Sequence, residues 1–163
     1  MKVLTIKQPW ATLIMQGNKR FEFRGWKTKN RGDLLIHAGE SIDKEAMKRL
    51  EKYLPKELPI GKILGKVTLV DCVKMLPEFK EKLLNENSDI YASSIFKEDY
   101  GWQVENIEVF EKPIEASGHL SLWEYLWWRE FNLNKNISAT RKLNYFNFFV
   151  VFYYNYRNCI IKI

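Results

Sequence analysis

The residues best placed to do chemistry are Gly17, Lys19, Glu22 and Arg24, spaced as G-x-K-x-x-E-x-R. Lysine and arginine hold phosphate, the first as a point charge and the second as a planar fork. A carboxylate accepts a hydrogen bond from an exocyclic base amine such as that of cytosine. A lysine beside a glutamate also shares protons once burial shifts their pKa values. Taken alone, however, these eight residues fit an exposed ion cluster of little energetic weight better than they fit a site.

The elements on either side must bring the pattern together. Val3 to Ile6 reads as a first strand. Pro9 suits the first turn of a helix carrying Trp10, Leu13 and Ile14 at helical spacing, and Gly17 suits its C-terminal cap, where a positive φ is needed. Phe21-Glu22-Phe23-Arg24 alternates apolar and polar, so a strand would turn both phenylalanines inward and put Glu22 and Arg24 on the other face. Lys19 then lies in the turn just ahead. Asp33 to Ala38 reads as a mostly buried strand closed by His37, a position more typical of a satisfied structural histidine than of a ligand. Trp10 at a helix start fits packing better than base stacking. For Trp26, between Gly25 and Lys27 in a basic turn, base stacking is somewhat more credible than for Trp10.

Charge concentrates on the same stretch. The formal net charge is +6, and residues 1–33, with eight basic and two acidic residues, account for an excess of that size. Residues 34–130 are net acidic, and residues 131–163 carry five basic residues and no acid. A basic pole on an otherwise acidic body attracts polyanions to one place, unless it is simply a solvated loop.

Further along, Ser41 or Asp43 would cap a helix from Lys44 to Tyr53. Ile63 to Val73 is the strongest strand signal, with Gly65 marking a bulge or bend. Leu76 to Asn85 reads as a helix, Tyr100–Val104 and Glu108–Lys112 as two strands, and Gly118–Trp123 as a closing strand. Asp71 is a polar residue in an apolar strand, suited to pairing with a basic group. The order is not a βαβ repeat, which favours an α+β fold: a small, mostly antiparallel β-barrel with flanking helices. Residues 1–126 are expected to form this domain and 127–163 a C-terminal extension, non-native or weakly ordered, which from residue 131 on is rich in Asn, Phe and Tyr and lacks Gly, Pro, Asp and Glu. Cys72 and Cys159 form no CxxC pair, and with only His37 and His119 no zinc site, other metal or cofactor is implied. No signal peptide and no apolar run long enough for a membrane helix are evident, so a cytoplasmic protein without membrane contact is expected.

The flanks of the pattern make it specific. Ile6-Lys7-Gln8-Pro9-Trp10-Ala11 precedes it; Trp26-Lys27-Thr28, Arg31-Gly32 and Leu34-Leu35-Ile36-His37-Ala38 follow. These blocks, in this order, resemble the ASCH domain family of the PUA-like superfamily over about residues 2–125. The resemblance implies a PUA-like barrel with a basic cleft that binds nucleic acid, chiefly RNA, or a modified nucleotide. Lys19, Glu22 and Arg24 would form its centre, and Gln8, Trp10, Trp26, Thr28, Arg31 and His37 its walls. Some relatives are N4-acetylcytidine amidohydrolases and some have been described as ribonucleases, which makes Lys19 and Glu22 the catalytic pair if this chain turns over a substrate. The amidohydrolases carry a threonine at the position of Glu22, so this chain departs from their pattern at the proposed nucleophile. Thr28 would have to be recruited in its place.

Overall fold

A computed structural model describes residues 1–92 and 99–126. The expectations for residues 127–163 fall outside them. The elements run β1 (Lys2–Gln8), α1 (Trp10–Met15), β2 (Phe21–Arg24), β3 (Gly32–Ile42), α2 (Lys44–Arg49), a 3-10 turn (Glu51–Tyr53), β4 (Lys62–Lys74), α3 (Pro77–Glu86), α4 (Ser88–Tyr91), β5 (Tyr100–Glu115) and β6 (Leu122–Glu124). One six-stranded sheet has the order β2-β5-β4-β3-β1-β6. The β1–β3 pairing is parallel, and the other four are antiparallel.

The expected closed barrel is not formed. β2 spans only four residues and pairs with β5 alone, while β6 spans three and covers β1 only along Lys2–Leu4. Beyond Leu4 the outer edge of β1 therefore has no ladder partner among the described strands. The sheet still curls far enough for Arg24, at the end of β2, to donate to the Thr5 carbonyl of β1 across 2.8 Å. A side chain crosses the seam where a closed barrel would place backbone hydrogen bonds.

The central strands are buried on both faces, which explains the unbroken apolar run in β3. Leu4, Ile6, Leu34, Ile36 and Ala38 point into the main core with Leu13, Ile14 and Trp102. Their alternates Val3 and Leu35 join Ile63 in a second, smaller core against Trp123 and Phe110.

Local chemistry sets the boundaries. Asp43, not Ser41, caps α2, its carboxylate accepting from Ala46 N–H at 3.0 Å. The two strands expected at 100–104 and 108–112 are one. The polar Glu105-Asn106 step between them is absorbed as a register shift, with Asn106 at φ 50 and its amide donating to Thr68 Oγ1 at 3.3 Å; asparagine tolerates that left-handed conformation. The closing strand is shorter than expected, because Gly118–Ser121 forms a loop.

Gly65 does mark a bulge, and register shifts lie beside it in both of its pairings. A Cβ there would come within 2.2 Å of the Glu108 carbonyl oxygen and 2.5 Å of Met15 Cε. The backbone oxygen cannot yield as a flexible side chain can. Gly65→Ala is expected to destabilise the fold by about 1–3 kcal/mol or more in urea unfolding; wild-type stability would show that β4 and β5 separate freely here.

Candidate functional site

Glu22 lies between two cations. Its Oε2 accepts from Lys19 Nζ at 2.8 Å, and its Oε1 is 3.2 Å from Arg24 Nη2. The sequence brings this about in two steps. α1 ends at Gln16, and Gly17 at φ 79 reverses the chain so that Lys19 N–H bonds back to the Leu13 carbonyl at 3.0 Å. Lys19 thereby sits beneath its own helix, with Nζ 5.7 Å from the Trp10 ring centre and 4.7 Å from that of Phe23. β2 then presents Glu22 and Arg24 two residues apart. Phe21 packs edge-on against Phe79, and Phe23 against Tyr91.

The cluster is not a surface one. Lys19 is 1% exposed and Glu22 8%. Lys19 Nζ also donates to the Phe21 carbonyl, so two of its three donors are held within the chain. Burial lowers the Lys19 pKa and Arg24 adds to that, while Glu22 opposes both.

These residues line a cleft of about 1050 Å³ that occupies the open seam of the sheet. Trp10, Phe23, Thr5, His37 and the loop Ser117–Ser121 complete its walls. Of the residues expected at the site, Trp10, Lys19, Glu22, Arg24 and His37 are brought together there. Gln8, Trp26, Thr28 and Arg31 are not. Gln8 is fully buried and organises the start of α1: its Oε1 accepts from Thr12 N and Oγ1, and its Nε2 donates to the Pro59 carbonyl. Pro9, at the N-cap position, has no polar side chain for that task. Thr28 is buried beside Cys72 and accepts from Asn30, away from the cleft. Arg31 pairs with Asp71 at 2.8 Å, the partner expected for that aspartate, and Trp26 packs edge-on against Trp102.

Lys7, Asp43, Arg49 and the Ser117–Ser121 loop line the cleft without having been singled out from sequence. Asp43 was legible only as a helix cap; its Oδ2 also accepts from Trp10 Nε1 at 3.3 Å. With them the cleft is charge-balanced, not basic. Lys7, Lys19, Arg24 and Arg49 face Glu22, Glu40, Asp43 and Glu45.

Two buried polar atoms at this site have no hydrogen-bond partner among the described residues: Arg24 Nε and His37 Nδ1. The first is a donor. The second is an acceptor, because His37 Nε2 lies 2.9 Å from the Ala116 carbonyl and must carry the proton. Thr5 connects them. Its carbonyl takes Arg24 Nη2, and its Cα pairs in register with His37. The loop closes over the ring so tightly that a Cβ on Gly118 would stand 2.7 Å from His37 Cε1. Burial lowers the His37 pKa, which the Ala116 carbonyl opposes and His119 reinforces.

Two measurements check this geometry. Lys19→Ala removes one partner of a buried pair and is expected to cost about 3 kcal/mol in urea unfolding; a loss within the range of an exposed pair, about 1 kcal/mol or less, would contradict the burial. For His37, the unfolded chain takes up a proton as pH falls through about 6.5 while the folded chain resists it. The unfolded state then binds more protons, so stability falls with falling pH across that window, by at most about 1.4 kcal/mol per pH unit. His37→Gln should flatten that slope between about pH 7 and the lowered folded value; an unchanged slope would exclude the histidine as its source.

The comparisons agree with this architecture. The ASCH domain family model matches residues 4–116. The chain is 36% identical over 99 residues to human activating signal cointegrator 1, covering 53% of this chain, and 34% identical over 104 residues to its mouse counterpart, covering 57%. It spans only 17% and 18% of the lengths of those relatives. Its fold is similar to the crystal structure of ASCH from Zymomonas mobilis, with a TM-score of 0.51 at 14% identity, over 84% of this chain and 95% of that one. With a family match across most of its described length, the chain belongs to the ASCH domain family.

Proposed function

We propose that this domain binds RNA or a modified nucleotide by taking a base into the cleft. The observation that carries this reading is the pair of unpartnered buried atoms, Arg24 Nε and His37 Nδ1. Buried polar groups without partners are rare in folded proteins and call for an explanation. A buried donor and a buried acceptor beside one cleft suit a ligand that offers both an acceptor and a donor along one edge, as a nucleobase does, once the Gly118 loop shifts off His37 Nδ1. Trp10 and Phe23 supply apolar surface, and Glu22 supplies a carboxylate for an amino group. Lys19 has a different part from the phosphate contact its type suggests. Its ammonium is enclosed and engaged, so it positions Glu22. The balanced charge of the walls also suits an uncharged base better than a phosphate.

A second reading rests on the lowered pKa of Lys19 beside Glu22. That pair has the make-up of a proton-shuttling couple, which fits hydrolysis of an acylated nucleoside or of an RNA phosphodiester. Thr28 lies away from the cleft, and Thr5, the threonine that lines it, has its Oγ1 accepting from Trp123 Nε1 at 3.0 Å.

Calorimetric titration with nucleosides, N4-acetylcytidine among them, and with single-stranded RNA tests both. Binding is expected, with little salt dependence for the nucleosides. Arg24→Lys keeps the charge but removes Nε, and is expected to weaken nucleoside binding about tenfold. Absence of binding, or equal binding by Arg24→Lys, would refute the base-in-cleft reading. Mass spectrometry of the same mixtures decides the second: product that disappears with Glu22→Gln supports it, and unchanged substrates exclude it.

A further inference from the structure

A charge-balanced cleft leaves open what draws a polyanion to this protein. The basic residues of the N-terminal segment divide by their partners. Lys2 pairs with Glu124, Arg20 with Glu86 and Arg31 with Asp71, while Lys19 and Arg24 are engaged with Glu22 and Lys7 lines the cleft. Lys27 and Lys29 are exposed and form no ion pair with any described residue. Both belong to the loop between β2 and β3, which contains no carboxylate from Gly25 to Gly32.

That loop is anchored onto the sheet at three points. Trp26 packs edge-on against the buried Trp102 ring, with centroids 4.6 Å apart, and its carbonyl accepts from Trp102 Nε1. Thr28 N–H lies against Cys72 Sγ, and Arg31 holds Asp71. Cys72 and Lys74 alternate onto the same face of β4, so Lys74, also exposed and without an ion pair to any described residue, lies on the side the loop covers. Trp26 nevertheless keeps 37% of its surface open. Of the described carboxylates near the loop, Asp71 is taken by Arg31, and Asp99 directly precedes Tyr100, the register partner of Lys74. The surface that results is a fixed, half-open indole among free lysines, the combination that accommodates a single strand: cations for phosphates and a ring face for a base.

We infer that the β2–β3 loop, through Lys27 and Lys29 with Lys74 and Trp26 beside them, carries the phosphate backbone of a single-stranded RNA whose flanking nucleotide occupies the cleft. This rests on the base-in-cleft reading. The loop starts at the residue after Arg24, so Lys29 is at most about 18 Å from the cleft wall along the chain. A strand leaving the cleft meets the loop within a few nucleotides. The division of labour follows from the charges: the neutral cleft selects the base, and the loop supplies attraction that does not depend on sequence.

The test uses the full chain, a fluorescein-labelled mixed-sequence single-stranded RNA of about 12 nucleotides, and free nucleosides, with wild type compared against Lys27→Ala/Lys29→Ala. Both lysines are exposed, so the variant should melt as the wild type does. The expected result is a loss of RNA affinity on the order of tenfold at low salt. The slope of log affinity against log salt should shrink by about 1.4, the value for two phosphate contacts on a single strand. Nucleoside binding should be unchanged. RNA affinity and salt slope equal to wild type in the double variant, with Arg24→Lys still impaired, would overturn this inference and leave the cleft reading standing. Failure of the wild type to bind RNA or nucleosides would overturn both. Vesicles of phosphatidylserine and phosphatidylcholine are the control surface; a variant that loses vesicle binding but not RNA binding would also overturn the inference.

Discussion

The fold around the site turns on one carboxylate. Glu22 accepts from Lys19 on one oxygen and lies against Arg24 on the other, and Arg24 in turn donates to the Thr5 carbonyl. These contacts link the end of α1 to β2, and β2 to β1, across a gap that no described strand fills. Burying such charges costs several kcal/mol per ion, and their attraction offsets this only when the remaining donors are satisfied. Lys19 meets that condition through the Phe21 carbonyl and the Trp10 and Phe23 ring faces. Arg24 does not meet it fully, because its Nε is left over. An apolar seam would be simpler to stabilise. The cleft lies where the sheet stays open.

This constraint changes what the N-terminal charge means. Eight cations in 33 residues suggest a basic cleft, but net charge along a chain does not say where the charge points. Folding places carboxylates from β3 and α2, at Glu40, Asp43 and Glu45, opposite the cations of β1 and β2. The excess is thereby moved from the cleft to the loop that follows it. On the readings proposed above, long-range attraction and base selection then fall on adjacent surfaces with different electrostatics.

The extent to which sequence revealed this depends on the range of each interaction. β1, α1 and β2 follow from local rules: a glycine at the helix end, alternation in Phe21–Arg24, and helical spacing in Trp10–Ile14. All appear within a residue or two of their expected limits. The single strand from Tyr100 to Glu115 was concealed by Asn106, a turn-former that serves here as a bulge. Barrel closure could not be decided locally, since it depends on how far two short edge strands extend against distant partners. At the site, motif residues with i to i+5 spacing converge as the pattern suggests. Gln8, Thr28 and Arg31 belong to the same motif blocks, yet their partners are structural, on Thr12, Asn30 and Asp71. The loop Ser117–Ser121 carries no signal beyond small and polar residues, and only the close approach of Gly118 to His37 reveals that it forms a wall.

The same geometry bears on the choice between binding and catalysis. A lysine with a lowered pKa next to a glutamate is the make-up of an acid–base pair, but it is equally the result of burying a lysine to hold a carboxylate in place. What separates the two is access for the proton. A general base must come within hydrogen-bond reach of the atom it deprotonates, and two of the three Lys19 donors are already committed to Phe21 and Glu22, with aromatic rings within 6 Å of Nζ. Glu22 is also engaged on both oxygens. A proton relay through this pair would have to break one of those contacts at each turnover, whereas a binding role uses them as they stand. The unpartnered atoms, Arg24 Nε and His37 Nδ1, lie outside the Lys19–Glu22 pair. On the proposed reading a ligand bonds to them without breaking that pair, which is why recognition is preferred there to turnover.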